Sequence, residues 1–394
     1  MNIKSYIQEN ESRFLDELFS LMRIPSISAL PEHKEDMHRC AKRWCELLME
    51  AGVDSCEVIP TEGHPIVYAE KKVPGANRTI LVYSHYDVMP AEPLELWNTS
   101  PFEPVVKDER IWGRGADDDK GQAMIQVKAF EYLVRHDLLK CNVKFVFEGE
   151  EEIGSPNLGA FLAAHKERLA CDAIFVSDTS MLSAELPSLT TGLRGLAYWE
   201  VEVTGPNRDL HSGHFGGAVA NPINVLCQMM ARITDENGRI TMPGFYDDVE
   251  ELSAEEREML QSIPFDEAKY MEAINVKALS GESGYSTLER NACRPSFDIC
   301  GIWGGYTGQG SKTVLPSVAY AKISCRLVPH QQHEKISQMM TDYLQSLAPD
   351  SVRVKVTPMH GGQGYVCPIT LPEYQAAERG FETAFGRRPL AVRR

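Results

Sequence analysis

The sequence predicts an α/β domain with a mostly parallel sheet flanked by helices, followed by a separate α+β domain. Three apolar, β-branched runs, at residues 79–84, 143–147 and 173–177, are typical of buried strands. Residues 122–139, between the first two runs, carry apolar side chains at helical spacing. Strands that alternate with amphipathic helices indicate parallel neighbours in one sheet.

The other elements follow in chain order. Two helices precede the first strand, at residues 3–22 and 38–51, and Gly52 ends the second as a C-cap. The pattern changes near Thr190, where residues 196–203 alternate apolar and polar side chains like a strand with one solvated face. Further strands are predicted at 296–302, 319–327 and 352–357, helices at 222–232, 334–347 and 374–385, and a crossing back to the first domain at 360–365.

Charge and composition exclude several classes of protein. The 394 residues carry 40 Lys+Arg against 56 Asp+Glu, a net charge of -16, which argues against nucleic acids and anionic membranes as partners. No apolar run reaches the roughly 18 residues of a membrane span, and the N-terminus has no signal-peptide core. The ten cysteines are scattered without a CxxC pair, as expected for reduced thiols in a cytoplasmic protein.

Acidic and imidazole side chains follow the three predicted strands. His85 and Asp87 follow the first strand, Glu150–Glu152 the second, and Asp178 the third. Because ligands of open α/β sheets bind beyond the carboxyl ends of the strands, these groups are expected to converge. A fourth acidic group, Asp117–Asp119, lies in a glycine-rich loop before a helix. Each group alone is compatible with a solvated loop or helix start, but together they indicate a metal site for zinc, manganese or cobalt.

Several motifs together resemble the dinuclear-zinc exopeptidases, and in particular their carnosine and cytosolic non-specific dipeptidase branch. The first domain contributes SHYDVMP, GRGADDDKG, FEGEEEIGS and VSDTS, and the second contributes DLHSGHFGG, GSKTVLP, CRLVP and HGGQGY. Aminoacylases, acetylornithine deacetylase and succinyl-diaminopimelate desuccinylase are relatives within the same family. The resemblance covers nearly the whole chain.

The resemblance implies a role for each matching residue of the first domain. Two Zn²⁺ ions per subunit are expected, with His85 and Asp178 on one ion, Glu152 on the other, and Asp118 bridging both. Asp87 would fix the tautomer of the His85 ring through a hydrogen bond. Glu151 would be the general base that takes a proton from a metal-bridging water and passes it to the leaving amine.

The resemblance also implies a homodimer and three roles in the second domain. His211 would reach into the active site of the neighbouring subunit and stabilise the tetrahedral oxyanion. Thr313 and Arg326 would hold the C-terminal carboxylate of the substrate. From the residues alone, His211 is equally compatible with a loop histidine, Thr313 with an ordinary strand threonine and Arg326 with a strand arginine in a salt bridge.

The same comparison implies the domain boundaries. Residues 1–189 would begin a catalytic domain, 190–361 would form an inserted lid and dimerisation domain, and 362–394 would return to the catalytic domain. The family has a further histidine ligand near its C-terminus, and this sequence has no histidine after His360. We therefore expect a truncated chain whose second metal site is incomplete.

The function expected from this resemblance is hydrolysis of dipeptides that carry a free C-terminal carboxylate. Two alternatives remain open on the sequence. One is an N-acyl-amino-acid deacylase or desuccinylase with the same metal site, and the other is an inactive, truncated metal-binding remnant.

Overall fold

The computed structural model describes residues 3–183 and 185–393. The chain divides into two compact units, Met1–Ser180 and Met181–Arg394, and each is described by itself. The division into three segments with boundaries at 189 and 361 stays a prediction. None of the helices in the described ranges is both long enough and apolar enough to cross a lipid bilayer.

In its described part, from residue 3 onward, the first unit contains five α-helices and seven strands. The helices are α1 (Ile3–Met22), α2 (Lys34–Ala51), α3 (Lys120–Arg135), α4 (Leu158–Ala164) and α5 (Lys166–Leu169). The strands are β1 (Ser55–Ile59), β2 (Ile66–Lys71), β3 (Thr79–His85), β4 (Val105–Lys107), β5 (Arg110–Trp112), β6 (Asn142–Glu148) and β7 (Ala173–Val176). The three predicted strands and the predicted helix between the first two are confirmed.

The main sheet of the first unit has the strand order β1-β2-β6-β3-β7. β3 pairs in parallel with both β6 and β7, whereas β1–β2 and β2–β6 are antiparallel pairs, so the sheet is mixed. The three parallel strands therefore end at the same edge, and His85 lies opposite Glu148 in the register. This edge carries the residues that the sequence predicts to converge.

Apolar side chains at helical spacing fix α2 against the sheet. Met37, Ala41, Trp44 and Leu48 are fully buried, and the Trp44 ring meets the Phe147 ring edge to face at 4.9 Å. Burying one such large side chain stabilises the fold by about 1.5–3 kcal/mol. Gly52 ends the helix with a φ of 105°, as predicted for a C-cap.

The second unit contains seven helices and nine strands within the described residues. The helices are α6 (Ser212–Phe215), α7 (Pro222–Met230), α8 (Ala254–Ser262), α9 (Glu267–Ala273), α10 (Thr287–Ala292), α11 (His333–Leu347) and α12 (Pro372–Phe385). The strands are β8 (Ser188–Leu193), β9 (Gly195–Thr204), β10 (Leu210–His211), β11 (Ser296–Gly304), β12 (Val314–Leu315), β13 (Val318–Leu327), β14 (Arg353–Gly362), β15 (Tyr365–Val366) and β16 (Leu390–Arg393).

An antiparallel sheet with the order β11-β13-β9-β14 forms the centre of the second unit. Alternate residues of β9, such as Trp199 and Val201, are buried in one core cluster with Leu226 of α7 and Met340 of α11. The residues between them are half-exposed, so one face of this strand is solvated. The predicted α+β character of this region is confirmed.

Residues 360–362 of the predicted crossing still belong to a strand, and the crossing back to the first domain stays a prediction. β14 continues through His360 and ends at Gly362, because Gly361 and Gly362 still pair with Ala197 and Leu196 of β9. The His360 ring stacks on the Tyr198 ring at 5.1 Å. Glycines in this stretch therefore mark an irregular strand end, with a register shift after Pro358.

Candidate metal centre

The carboxyl ends of the parallel strands bring three predicted ligands together. His85 is the last residue of β3, Asp178 follows β7, and Asp118 lies in the loop before α3. One potential ligand atom from each of these residues lies within 4.8 Å of the other two. His85 Nε2 is 2.9 Å from Asp118 Oδ1 and 3.7 Å from Asp178 Oδ2. This is a group of side chains that can hold a metal ion.

The His85 ring is oriented from its other nitrogen. Nδ1 lies 3.1 Å from the backbone oxygen of Asp87 and 3.4 Å from its Oδ1. A proton on Nδ1 satisfies these acceptors and leaves Nε2 free to accept, which is the usual arrangement of a histidine ligand. The ring is 1% exposed, so it has little freedom to turn away.

Asp87 also holds the turn that follows β6. Its carboxylate accepts the backbone N–H of Glu151 at 3.2 Å and of Glu152 at 3.0 Å. The Ser28 hydroxyl donates to the same carboxylate at 2.6 Å. Asp87 is fully buried, and these donors compensate its charge. Asp87 therefore orients the His85 ring and fixes the start of the turn that carries Glu151 and Glu152.

The pKa values show that negative charge is in excess around His85. Burial opposes protonation of this ring, but the hydrogen bonds to Asp118 and Asp87 outweigh it and raise the pKa of His85 to about 11. Burial and the charge of Asp118 raise the pKa of Glu152 to about 7. Burial also raises the pKa of Glu151 and of Asp178. His85 is the cation in direct contact with the carboxylates of Asp118 and Asp178, and a divalent cation would neutralise the remaining negative charge.

Asp119 is a site residue that the sequence did not distinguish from its neighbours. Its side chain is fully buried, Oδ2 accepts the backbone N–H of His85 at 3.1 Å, and Oδ1 has no hydrogen-bond partner among the described residues. Burial raises its pKa to about 7. An unpartnered carboxylate oxygen beside His85 and Asp178 fits a site built for a cation. The donor set of one imidazole and several carboxylates suits zinc, manganese or cobalt.

Two of the three predicted residues of the second unit lie together. The short strands β10 and β12 pair, and His211 Nε2 lies 3.3 Å from Thr313 Oγ1. His211 Nδ1 accepts the N–H of Gly213 at 3.0 Å, so Nε2 is free to carry a proton. Both side chains are exposed. Arg326 is exposed on β13 opposite Leu196 and forms no ion pair with any described residue.

Comparison with known proteins defines the family. Residues 81–393 match the family described as Peptidase family M20/M25/M40. The chain belongs to this family. The M20 assignment confirms the predicted resemblance, the predicted fold class and the prediction that the chain is a metallopeptidase, and it explains why a cation site lies at the strand ends.

Three M20 relatives resemble the chain over most of its length. A Beta-Ala-His dipeptidase of Rattus norvegicus is 30% identical over 98% of this chain and 82% of its own length. A Cys-Gly metallodipeptidase of Schizosaccharomyces pombe is 32% identical over 84% of this chain and 71% of its own. The solved structure of an M20 family metallo-carboxypeptidase from Sulfolobus solfataricus has a TM-score of 0.88 and 32% identity, covering 96% of this chain and 85% of that one.

Proposed function

We propose that this M20 chain is a metal-dependent dipeptidase that hydrolyses dipeptides with a free C-terminal carboxylate. The observation that carries the proposal is the cluster of His85 and Asp178, at the ends of β3 and β7, with Asp118 from the loop before α3. Two relatives at 30% and 32% identity are named as dipeptidases, which supports this substrate class over other M20 substrates.

The proposed metal ligands come from the first unit. His85 and Asp178 would hold one ion, Glu152 would hold a second, and Asp118 would contribute to both. Zinc is the proposed metal, and manganese or cobalt has the same preference for nitrogen and oxygen ligands. When bound, such ions supply Lewis acidity that lowers the pKa of water and polarises the scissile carbonyl.

Glu151 is the proposed general base. It takes a proton from the attacking water and delivers it to the nitrogen of the leaving amine. The hydrogen bond from its backbone N–H to Asp87 fixes the start of its turn. Burial raises the pKa of Glu151, which brings its basicity closer to that needed near neutral pH.

The second unit supplies the proposed substrate contacts. His211 of one subunit donates from Nε2 to the oxyanion of the tetrahedral intermediate in the active site of the neighbouring subunit, and Thr313 Oγ1 lies 3.3 Å from that nitrogen within its own chain. Arg326 binds the substrate carboxylate through its guanidinium fork, together with the Thr313 hydroxyl. The exposure of all three side chains and the absence of an ion pair for Arg326 among described residues leave them available for a ligand.

We further propose that the protein is a cytoplasmic homodimer. β11 is an edge strand of the central sheet of the second unit, and Ile299, Ile302 and Trp303 on it are 45%, 47% and 43% exposed. An apolar edge strand favours pairing with a second copy. All ten cysteines are free thiols, in keeping with a reducing compartment.

The substrate class is tested by a hydrolysis panel with the protein loaded with zinc or manganese. It contains β-Ala-His, Cys-Gly, the C-terminal amide of each, acetyl- and succinyl-amino acids, and a tripeptide. We expect the free dipeptides to be cleaved and their amides to be poor substrates. Preference for acylated amino acids would favour a deacylase, preference for the tripeptide a carboxypeptidase, and no turnover with any metal an inactive chain.

The mechanism is tested with Glu151→Gln. The amide cannot accept the proton, so kcat should fall by about 10²–10⁴ while the metal content, measured by mass spectrometry, is unchanged. Glu167→Gln, on the exposed face of α5, is the control and should behave as the wild type. Normal turnover by Glu151→Gln would refute this assignment.

A further inference from the structure

The turn that carries Glu151 and Glu152 is held at both ends by buried carboxylates. We call residues 150–155 the acidic turn. Asp87 accepts the two N–H groups at its start, as described above. At its far end, the Ser155 hydroxyl donates to Glu148 Oε1 at 2.8 Å. None of the roles proposed above involves this contact between Ser155 and Glu148.

Glu148 lies beside the candidate metal centre but is not part of the group formed by His85, Asp118 and Asp178. It is the last residue of β6, lies opposite His85 in the register, and is 1% exposed. The Tyr83 hydroxyl donates to the same oxygen that accepts Ser155. Tyr83 lies two residues before His85 on β3, so both side chains project from the same face of the sheet.

No cation pairs with Glu148 among the described residues. The side-chain hydrogen bonds that its carboxylate accepts come from two hydroxyl groups, those of Tyr83 and Ser155. A buried carboxyl group without a cation is costly to the fold, because it loses its hydration. An apolar side chain of similar length would avoid that cost. The two hydroxyl contacts therefore point to a role of Glu148 beyond stability.

Ser155 has a backbone conformation that requires support. Its φ is +50°, in the left-handed region that side chains other than glycine rarely adopt, and Gly154 before it has a φ of +87°. The N–H of Ser155 donates to Glu150 O at 2.8 Å, which closes the acidic turn. Such conformations persist only where the surroundings impose them, and they cluster at active sites.

We propose that Glu148 is a positioning residue that fixes the acidic turn through the Ser155 hydroxyl. Tyr83 holds the Glu148 side chain in place, and the closed turn fixes where the Glu151 carboxylate points. In this role Glu148 acts through the acidic turn and needs no contact with substrate or metal. The proposal rests on the proposed function, since it assigns Glu148 an effect on the general base.

The first experiment compares Glu148→Gln with Glu148→Met in the metal-loaded protein. The glutamine retains an oxygen that accepts both hydroxyls, so kcat should stay within about threefold of the wild type. Methionine has similar length but accepts no such bond, so kcat should fall about tenfold or more with KM nearly unchanged. Equal losses in both variants, or none in Glu148→Met, would overturn the proposal.

The second experiment separates positioning from folding at Ser155. Ser155→Ala and Ser155→Gly both remove the hydroxyl, but glycine also relieves the left-handed backbone. We expect kcat to fall about tenfold in both, with the higher Tm in the glycine variant. A purely structural role predicts that glycine restores both Tm and kcat, which would contradict the proposal. These variants also serve if Glu148→Met does not fold.

Two matched controls come from the same unit. Asp137→Gly relieves a non-glycine residue with a φ of +55° in the exposed loop after α3, and Tyr68→Phe removes a hydroxyl that donates to Glu70 at 3.2 Å on β2. Neither should change kcat, whereas Tyr83→Phe should lower it severalfold. If Glu151→Gln is inactive and the Ser155 variants have normal kcat, only this inference fails. If Glu151→Gln is active, the proposed function itself fails.

Discussion

Two clusters of buried charge in the first unit differ in how their carboxylates are compensated. The helix cluster joins α1 to α3: Arg13 contacts Glu131 at 2.7 Å, Lys128 contacts Glu131 at 2.8 Å, and both cations also contact Glu17. The strand-end cluster is the candidate metal centre, where several carboxylates surround His85. In the helix cluster, two cations pair with the two carboxylates. In the strand-end cluster, the carboxylates outnumber the cations that contact them.

The pKa values of two glutamates express this difference. Burial would raise the pKa of Glu131, but hydrogen bonds to Arg13 and Lys128 outweigh it and lower the pKa to about 2. Burial and the charge of Asp118 raise the pKa of Glu152 to about 7. A cluster whose carboxylates are neutralised by its own cations needs no ligand, whereas a cluster with excess negative charge is neutralised by a bound cation. Charge balance, more than burial, therefore distinguishes a functional cluster from a structural one.

The largest effect is expected for Asp118→Asn in the strand-end cluster. The amide removes the proposed bridging charge, so metal content and dipeptide turnover should both be lost. Without metal, the variant should be somewhat less stable than the wild type, because it loses the pairing of Asp118 with His85, which lowers the pKa of this carboxyl group. Mass spectrometry, a hydrolysis assay and thermal unfolding with a chelator measure these three quantities.

Asp117→Asn is the matched control for this experiment. Asp117 is exposed and immediately precedes Asp118, so its amide variant should keep both metal and turnover. Adding metal should raise the Tm of the wild type and of the control but not of Asp118→Asn. A fully metal-loaded Asp118→Asn would remove the basis for calling the strand-end cluster incomplete.

Much of the strand-end cluster could be predicted from the sequence because its residues directly follow strands that the sequence itself reveals. Apolar runs define β3, β6 and β7, and the first polar residues after each run must lie at the edge where parallel strands end. His85, Asp178 and the group Glu150–Glu152 follow from that rule alone, whereas the choice of Glu152 within the group came from the family resemblance. The same rule does not say which of three consecutive aspartates faces inward.

The parts of the site that the sequence did not predict depend on contacts between residues far apart in the chain. Ser28 donates a hydrogen bond to Asp87, 59 positions away, and Tyr83 donates one to Glu148, 65 positions away. His211 and Thr313 are 102 positions apart and meet because two strands of two residues each pair. No local pattern encodes such pairs. The helix cluster was likewise not predicted, since Arg13 and Glu131 read as ordinary surface residues of amphipathic helices.

A smaller effect, on stability alone, is expected for Glu131→Gln in the helix cluster. With a pKa of about 2 in place of the usual 4.5, the carboxylate contributes roughly 3 kcal/mol at neutral pH. Because the folded pKa is lowered, this contribution is present above about pH 4.5 and is lost as the pH falls toward 2. Urea unfolding at pH 7 and pH 4 should show a difference from the wild type that narrows at the lower pH.

The turnover of Glu131→Gln provides the comparison with the metal centre. Once folded, the variant should keep its metal content and kcat, since the helix cluster has no proposed role in chemistry. A loss of kcat at full metal content would show that the helix cluster also serves the active site, and the distinction between the two clusters would fail.

The smallest effect is expected for Arg135→Ala at the solvent side of the helix cluster. Arg135 Nε lies 2.8 Å from Glu131 Oε1, but the arginine side chain is 51% exposed, and Arg13 and Lys128 still neutralise the glutamate without it. The loss in the free energy of unfolding should be below about 1 kcal/mol, because water and salt screen an exposed pair.

Part of that loss comes from the last turn of α3, where a cation is favourable. Arg135→Lys should therefore be almost neutral, and 0.5 M salt, which screens exposed charges, should reduce the effect of Arg135→Ala further. A cost as large as that of Glu131→Gln would mean that the cluster is balanced by Arg135 itself, and that two cations do not suffice to neutralise its carboxylates.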